Sequence, residues 1–336
     1  MRVVIASAAC ASGQGMPRNI GDEALTDALA GVLQRAGNDV VASLGGEWSD
    51  TPTTDSGIER VPLRGVGELR AAFAGADHVV IGGGTLLAEN EAPQYGLIPR
   101  GLIRYVLAVS GVAATMRIPY SFVGVGAEKW PARGATLLKR TVNRAHMVAV
   151  RDADSAALVH EKTGVSPTLS GDAFYGWVPE RGSRPGNQTV VALSGRTTAP
   201  QIEQVIDQVL RSGRRNVAIV RMDQEGDDEL VSRTLAERLT AQHVSVELTP
   251  LVRDWRDVYT TIADAELVVA SRLHALIMAS RAGVPSVAIG ENKKVRTFVA
   301  DSGIAHIDSG FDPRSARTDY ILRQQELLED ACARIS

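Results

Sequence analysis

Cysteine is almost absent from this sequence: Cys10 and Cys332 are the 2 cysteines among 336 residues. Because they lie near opposite ends of the chain, a disulfide framework does not hold the protein together, and a zinc site built on cysteine pairs is excluded. This cysteine usage favours the reducing cytoplasm as the compartment.

Aromatic residues are also scarce, at 4% of the chain, whereas glycine occurs 32 times. That balance suits tight strand-to-helix turns better than an aromatic-rich all-β protein. A basic excess is lacking too, since the formal net charge is -3. A dedicated nucleic-acid binder would need one, so we expect no nucleic-acid partner. The hydrophobic content of 44% is enough for folded cores and excludes disorder as the main state.

Long hydrophobic runs are missing as well. The apolar stretch 105–116 is shorter than the roughly 20 residues that span a bilayer. We expect it to belong to a buried helix over 97–116, with contact to a second chain in a homo-oligomer or to a membrane surface as the alternative. At the N-terminus, Arg2 and the apolar residues after it slightly resemble a signal peptide. A buried strand over 2–7 is favoured, because a helix start follows at once.

Apolar runs of strand length alternate with amphipathic segments of helix length along the whole chain. This alternation, with continuous Val/Ile/Ala strands, predicts an α/β fold of parallel sheets covered by helices on both faces. The predicted strands are 2–7, 39–43, 78–82, 120–125, 147–151, 189–193, 216–221, 245–248, 267–271 and 286–289.

The length fits two domains. Gly, Pro, Arg and Asn crowd together in residues 171–188, which indicates an interdomain linker. We predict a Rossmann-like N-terminal domain over 1–172, a linker over 173–188 and a Rossmann-like C-terminal domain over 189–336, with a last helix over 313–333 that packs back on the first domain. Two doubly wound domains would enclose a cleft, and ligands bind where the carboxyl ends of strands face it.

The first polar motif lies between the first strand and the first helix and contains Asn19, Gly21, Asp22 and Glu23. Asn19 or Asp22 can cap the helix, and Glu23 complements its dipole, so capping alone would explain much of the motif. The functional alternative is contact between Asn19 or Asp22 and an acceptor substrate.

The second motif is the run Gly82-Gly83-Gly84-Thr85, which follows a buried strand. Three glycines allow the backbone to approach an anion or a sugar closely, although a tight turn is the structural alternative. The run is not a P-loop, because the Lys-Ser/Thr pair is missing, and its glycine spacing differs from the dinucleotide fingerprint.

In the third motif Arg151 ends a strand and Asp152 can cap the next helix. Arg151 is a candidate anion ligand, and pairing with Asp154 is the alternative. In the fourth motif, Ser271, Arg272 and His274 stand at the start of an otherwise apolar helix. There the arginine supplies a rigid fork for phosphate or carboxylate, and the histidine can donate or accept a proton near neutral pH.

The fifth motif places Lys293 and Lys294 after the next strand, and one of these two lysines is expected to be only a solvated surface residue. Arg196 and Arg221 follow two further strands of the same half. Because the carboxyl ends of parallel strands share one edge, we expect these cations to gather near Arg272 and His274. A cation cluster in a slightly acidic chain predicts a strongly anionic small ligand.

The motifs Asn19–Glu23, Gly82–Leu86, Val150–Asp152 and Ser271–Leu276 together resemble the polysaccharide pyruvyl transferase family, in the family's order. The resemblance implies a GT-B-like pair of Rossmann-type domains. It also implies transfer of a pyruvyl group from phosphoenolpyruvate to two hydroxyls of one sugar, with release of phosphate, in the synthesis of cell-surface polysaccharide or related glycoconjugates. No metal or organic cofactor is required. The acceptor could be lipid-linked, which would place the enzyme at the inner face of the membrane.

The resemblance carries Arg272 and His274 over as donor-site residues, and we expect both to act in catalysis. Donor binding would involve Arg272, Lys294 and Arg151, with Arg196, Arg221 and Ser271 added by their position. Acceptor binding would involve Asn19, Asp22, Glu23, Gly83, Gly84 and Thr85.

Two departures from the family pattern leave the substrate open. The family often has Asp-Pro-Lys where this chain has Asn292-Lys293-Lys294, and Asp-Pro where it has Asp172-Ala173. The rival readings are a GT-B glycosyltransferase that uses a nucleotide sugar and a glycan-binding relative without catalysis. An NAD-dependent oxidoreductase is disfavoured, because no Gly-x-Gly-x-x-Gly opens a helix after a strand.

Overall fold

Strands and helices alternate along the chain in the computed structural model. It describes residues 1–9, 18–45, 58–62, 65–88, 102–131, 134–179, 186–224, 226, 228–309 and 312–335. The chain divides into two compact units. Unit 1 lies within residues 1–15, 22–178 and 323–336, and unit 2 within residues 16–21 and 179–322.

Unit 1 is built on a seven-stranded parallel sheet with the order β3-β2-β1-β4-β5-β6-β7. Its strands are β1 (Arg2–Ala6), β2 (Asp39–Gly45), β3 (Glu59–Pro62), β4 (His78–Gly82), β5 (Tyr120–Val125), β6 (Met147–Val150) and β7 (Thr168–Leu169). The first five helices in chain order are α1 (Ile20–Arg35), α2 (Val66–Phe73), α3 (Leu102–Thr115), α4 (Ala135–Arg144) and α5 (Ala153–Thr163).

Unit 2 is built on a six-stranded parallel sheet with the order β10-β9-β8-β11-β12-β13. Its strands are β8 (Thr189–Ala192), β9 (Asn216–Ile219), β10 (Ser245–Leu248), β11 (Leu267–Ala270), β12 (Ser286–Ala288) and β13 (Ala305–His306). The later helices are α6 (Ala199–Arg211), α7 (Asp228–Ala241), α8 (Trp255–Ala263), α9 (Leu273–Ala282), α10 (Lys293–Ser302) and α11 (Thr318–Ala333).

The two sheets are wound in the same way. In each, the first strand lies in the middle, the next two strands extend the sheet on one side, and the later strands extend it on the other. This is the doubly wound Rossmann order. All strands stay parallel, but the direction in which successive strands are added to the sheet reverses, and the two halves of each sheet meet between β1 and β4 and between β8 and β11. Ligands of such sheets bind outside the carboxyl ends of the strands at these reversal points.

Apolar strands explain why both sheets are covered on two faces. All five residues of β4 are buried, as are all six of β5 and all four of β8 and of β11. The apolar segment expected in the core forms α3, and its residues Ile103, Val106 and Val109 lie in the hydrophobic core of unit 1; residues 97–101 lie outside the described part. Within the described residues, no helix is both long enough and apolar enough to cross a membrane.

The segment assigned to the linker starts differently from the prediction. Ala173–Gly176 is a buried 3-10 turn that begins at Asp172, whose Oδ1 accepts a hydrogen bond of 3.0 Å from the Phe174 amide. Residues 173–178 therefore belong to unit 1 rather than to a linker, and residues 180–185 lie outside the described part.

The last helix begins at Thr318 rather than at residue 313. From Arg323 onward its residues are grouped with unit 1. There the side-chain oxygen of Gln324 accepts a hydrogen bond of 3.2 Å from the Asp172 amide.

A buried histidine, His78, lies at the amino end of β4, away from the carboxyl ends of the strands, next to the exposed His146. Nε2 of His78 is 2.9 Å from the Ser121 hydroxyl, and the His146 ring centroid is 5.6 Å from that of His78. Burial, and then the neighbouring His146, lower the pKa of His78 from 6.5 to about 4. His78 therefore stays neutral in the folded protein at pH values where an unfolded chain would protonate it.

The depressed pKa of His78 makes stability depend on pH. Below pH 6.5 the unfolded chain binds a proton at this site that the folded chain refuses until about pH 4. We expect this site to lower the free energy of unfolding by roughly 1 kcal/mol for each unit by which the pH falls within that window. Urea denaturation at pH 7, 6 and 5 measures the slope, and His78→Gln should make it shallower. Equal slopes for the two proteins would contradict the assignment.

Candidate functional site

The predicted site residues all follow the carboxyl ends of strands. In unit 2, Ser271, Arg272 and His274 lie at the start of α9, directly after β11, whereas Arg196, Arg221 and Lys294 follow β8, β9 and β12 along the chain. The predicted residues of unit 1 lie around β4, β6 and α1. Each group lies at the edge of its sheet where doubly wound folds bind ligands.

In unit 2, Arg272 precedes α9 and is bound by a carboxylate from α7. Its Nε donates a hydrogen bond of 2.9 Å to Oδ2 of Asp228, and its Nη2 contacts Oδ1 of the same carboxylate. Nη2 is also 3.7 Å from the carboxylate of Asp223. The Arg272 side chain is 26% exposed, so it reaches the surface although its partner Asp228 is sealed from water.

Asp228 itself has no exposed surface. Besides Arg272, it accepts a hydrogen bond of 2.8 Å from the Gly195 amide and one of 3.0 Å from the Asp223 amide. These amides follow β8 and β9, and Arg272 follows β11. One carboxylate therefore joins the ends of three neighbouring strands.

His274 lies in the first turn of α9 and packs against Gly21. A Cβ atom at position 21 would overlap Nδ1 and Cγ of the imidazole and lie 2.8 Å from its Cβ. Gly21 is needed because no side chain fits there. The first and fourth motifs, widely separated in the sequence, therefore meet at this contact.

Asn19 caps α1, which confirms one of the two alternatives for the first motif. Its side-chain oxygen accepts a hydrogen bond of 2.9 Å from the Gly21 amide. The residues beside it pair with the loop after β9: the Ile20 amide donates to Met222 O, and the Gln224 amide donates to Arg18 O. The chain on both sides of Asn19 is thus fixed to unit 2 by backbone hydrogen bonds.

Ser271 holds the loop between β8 and α6. Its hydroxyl accepts a hydrogen bond of 2.8 Å from the Ser194 amide and lies 3.0 Å from the Thr197 hydroxyl. Every amide of residues 194–198 has an acceptor within the protein. These amides are therefore already used, and the loop offers none of them to a ligand.

The other cations of unit 2 differ in their surroundings. Arg221 has a side chain that is 11% exposed and lies 3.8 Å from the carboxylate of Glu229. Arg196 is exposed, and Lys294 is half-buried in the first turn of α10. The backbone of Lys294 is fixed by Asn292, which caps that helix with its side-chain oxygen 3.2 Å from the Lys294 amide.

In unit 1 the triple glycine is shaped by helix α1. A Cβ at Gly82 would lie 2.5 Å from Leu29, one at Gly83 would lie 3.2 Å from Leu25, and one at Gly84 would lie 3.0 Å from Oδ1 of Asp22. Gly83 and Gly84 also have positive φ angles of 75° and 81°. Close packing of α1 and a tight turn thus account for all three glycines.

Glu23, which was predicted to bind the acceptor, is buried. Its side chain is 3% exposed, and its Oε2 is 2.6 Å from Nη1 of Arg60, which also pairs with Asp27. Burial, only partly offset by Arg60, raises the pKa of Glu23 to about 8. Because this carboxyl group is enclosed with Arg60, we leave Glu23 out of the acceptor site.

Arg151 lies in a buried carboxylate cluster rather than beside Asp154. Its Nε is 3.1 Å from Asp152 and its Nη1 is 3.8 Å from Asp172. Burial opposes its charge, but these two carboxylates outweigh burial and raise the pKa of Arg151. Burial raises the pKa of Asp172 despite the arginine, whereas for Asp152 the contact with Arg151 and the Ser155 amide prevail and lower the pKa.

Thr85 and Arg151 lie on either side of Gly126. A Cβ at Gly126 would be 2.9 Å from Nη2 of Arg151 and 3.2 Å from Oγ1 of Thr85. Residues predicted for separate roles, acceptor binding and donor binding, therefore lie at one place in unit 1.

Asp228, Asp172 and Arg60 were missed by the sequence analysis. An acidic residue in the first turn of a helix, as Asp228 is, usually only complements the helix dipole, so nothing in the local sequence marked it. Among the described residues, no group of three His, Cys, Asp or Glu side chains could hold a metal ion.

The contact between Gly21 and His274 predicts a steric effect. Gly21→Ala should lower the free energy of unfolding by about 1–3 kcal/mol, the usual cost of overpacking. Adding His274→Ala should recover much of that loss, because the clashing ring is removed. Denaturant titrations measure both values.

Gly111→Ala is the matched control for Gly21→Ala. Gly111 is in helix α3, and no described atom lies within 4 Å of its Cβ position. Its substitution should leave stability unchanged or raise it. If Gly21→Ala is as stable as Gly111→Ala, the close packing of His274 against Gly21 is contradicted.

The burial of Asp228 predicts that Arg272 also stabilises the fold. Arg272→Met would leave a carboxylate sealed from water without its counter-charge, so we expect a loss of about 3 kcal/mol of unfolding free energy. Arg238→Met serves as the control, because Arg238 and its partner Glu203 are both 49% exposed, and the loss there should stay below about 1 kcal/mol. Similar losses of unfolding free energy in the two variants would contradict a larger stabilising role for the buried Asp228–Arg272 pair.

Comparison with solved structures supports the fold. S. aureus MnaA, solved with UDP, is 12% identical, covers 98% of this chain and 91% of its own, and has a TM-score of 0.57. UDP-GlcNAc 2-epimerase from Neisseria meningitidis, bound to UDP-GlcNAc, is 10% identical with coverages of 100% and 98% and a TM-score of 0.57. Sucrose-phosphate synthase from Thermosynechococcus elongatus is 13% identical with coverages of 100% and 97% and a TM-score of 0.58.

At such identities the similarity shows the fold alone. The predicted fold class, an α/β protein of two doubly wound Rossmann-like domains of the GT-B-like kind, is confirmed. No curated protein sequence matches the chain. The family model described as polysaccharide pyruvyl transferase matches residues 19–293, which include the first four motifs and end within the fifth, at Lys293. The chain therefore belongs to the polysaccharide pyruvyl transferase family.

Proposed function

We propose that the protein transfers the pyruvyl group of phosphoenolpyruvate to two hydroxyls of one sugar, forming a cyclic ketal during the synthesis of a cell-surface polysaccharide or related glycoconjugate. The observation that carries the proposal is the contact between His274 and Gly21 beside Arg272. It brings the two motifs on which the family resemblance most depends to one place at the carboxyl edge of a sheet.

The donor is small and carries both a phosphate and a carboxylate, so it needs several directed donors. Arg272 supplies N–H groups from a guanidinium held on its inner edge by Asp228. Lys294, in the first turn of α10, supplies a further positive charge, and the exposed Arg196 can approach the same anion. Arg221 and Ser271 would support this group from the neighbouring strand ends.

The reaction requires proton transfer at two points. The methylene carbon of phosphoenolpyruvate gains a proton, which makes the central carbon electrophilic, and a sugar hydroxyl attacks that carbon. The second hydroxyl then displaces phosphate and closes the ketal. One hydroxyl proton ends on the new methyl group and the other leaves with phosphate. We assign His274 as the general acid, or as the group that helps to deprotonate the attacking hydroxyl.

The acceptor residues belong to the edge around β4 and α1. Asp22 lies against Gly84, and Thr85 lies near Arg151 across Gly126. These polar groups, with Gly83 and Asn19, would contact the sugar. Arg151 would take an anionic group of a substrate through the N–H groups that its carboxylate partners leave available.

The nucleotide-sugar glycosyltransferase is the nearest rival, since two of the similar structures contain UDP or UDP-GlcNAc. Rossmann-like domains that bind dinucleotides cradle the pyrophosphate with amides of the loop after their first strand. In unit 2 that loop follows β8, and its amides 194–198 all bond within the protein. This argues for a compact donor. Thermal stabilisation by a uridine or guanosine nucleotide, but not by phosphoenolpyruvate, would favour the rival.

Phosphate release tests the reaction. The protein should release phosphate from phosphoenolpyruvate only when a suitable glycan is added, and mass spectrometry should show the glycan gaining a pyruvyl ketal. His274→Asn should lower the rate by about 100-fold to 10,000-fold, the usual contribution of a general acid or base.

His243→Asn is the matched control for this test, because His243 is exposed and has a positive φ of 61°, which asparagine tolerates well. Its rate should equal that of the unaltered protein. A His274→Asn variant of full activity would remove His274 from the mechanism. Glycan binding without any phosphate release across the candidate glycans would instead support a non-catalytic relative.

A further inference from the structure

The burial and the hydrogen bonds of Asp228 could not be predicted from the sequence around it. It is the first residue of α7, its side chain has no exposed surface, and its two oxygens together accept four hydrogen bonds. Two come from backbone amides, of Gly195 and Asp223, and two from the guanidinium of Arg272. A carboxylate has about four acceptor positions, so all of them are used.

The pairing between Asp228 and Arg272 is side-on, through Nε and Nη2 of the arginine. A guanidinium carries five N–H groups in a rigid plane. Two are bound to Asp228, and the remaining three, on Nη1 and the far side of Nη2, point away from that carboxylate. With one edge fixed, the direction of the other edge is fixed as well.

The same carboxylate also fixes the backbone of two neighbouring loops. The Gly195 amide belongs to the loop after β8, and the Asp223 amide to the loop after β9. The sheet order places these strands beside β11, from which Arg272 extends. Displacing Asp228 would therefore release three adjacent strand ends at once.

We propose that Asp228 is the positioning residue of the donor site: it sets the orientation of the Arg272 guanidinium and so determines the affinity for phosphoenolpyruvate. The inference rests on the proposed function. Asp228 does not touch the donor, and its effect on binding passes through Arg272.

A double-mutant cycle on phosphoenolpyruvate binding tests this role. Isothermal titration calorimetry without acceptor gives Kd for the unaltered protein, Asp228→Asn, Arg272→Lys and the double variant. In Asp228→Asn an amide group replaces one acceptor oxygen and meets N–H donors, so the guanidinium loses its fixed edge. Arg272→Lys keeps the positive charge but lacks the planar guanidinium that can donate two parallel hydrogen bonds. Each single substitution should weaken binding by about 10-fold or more.

The double variant separates positioning from general damage. If Asp228 acts through Arg272, adding Asp228→Asn to Arg272→Lys should weaken binding by less than about 3-fold further. Full additivity of the two single effects would overturn the positioning role. Asp207→Asn, the same chemical change at an exposed carboxylate of α6, should leave Kd unchanged.

A second measurement needs no variant. Hydrogen–deuterium exchange of the unaltered protein should show slower exchange of the Gly195 and Asp223 amides once phosphoenolpyruvate is bound, because the donor orders the guanidinium and the carboxylate that accept them. Unchanged exchange at saturating donor would overturn the proposal even if Asp228→Asn does not fold.

The outcomes distinguish failure of the proposed function from failure of the role of Asp228. Failure of the unaltered protein to bind phosphoenolpyruvate would overturn the proposed function. Tight binding by the unaltered protein together with equally tight binding by a folded Asp228→Asn would overturn the role of Asp228 alone.

Discussion

A carboxylate that is sealed from water needs a counter-charge and hydrogen-bond donors within reach, and the Asp228–Arg272 pair meets that need at the centre of unit 2. The pair joins α7 to the start of α9, and the two amides bound to the same carboxylate join β8 and β9 to it. The start of α9, where His274 lies, is therefore fixed by a charge that is buried inside the protein.

Unit 1 follows the same rule with different residues. Arg151 is surrounded by Asp152 and Asp172, and Glu23 is enclosed with Arg60. The arginines that look available in the sequence are thus partly neutralised in the fold. Their N–H groups are held in fixed directions by these carboxylates, and oriented N–H groups favour recognition by direction and shape over attraction by net charge.

The fold could be predicted from the sequence because its central strands are continuous apolar runs. β4, β5, β8 and β11 all lie within the predicted boundaries. The strands that were missed, β3, β7 and β13, are two to four residues long and lie at or near the edges of their sheets. At an edge only one neighbour supplies hydrogen bonds and burial is incomplete, so little apolar patterning is needed and none is visible.

The sequence motifs of the site were predictable, but the ion pairs that their charged side chains form were not. Parallel topology brings the carboxyl ends of strands to one edge, which is why Ser271, Arg272 and His274 could be placed from sequence alone. The partner of a buried charge can come from any helix that follows a strand, and neither Asp228 nor Arg60 stands in a motif of its own. The pairing of Glu23 with Arg60 could not be predicted for this reason, because the two residues are more than 30 positions apart in the chain.

Unit 1 is not a continuous stretch of chain, since its final part is contributed by residues 323–336. Synthesis on the ribosome runs from the N-terminus, so the seven-stranded sheet emerges long before Gln324 and Leu328 are available to pack beside Asp172 and Gly176. Unit 2 emerges in between. The turn Ala173–Gly176 of unit 1 therefore gains these contacts from the last helix only after unit 2 has been synthesised.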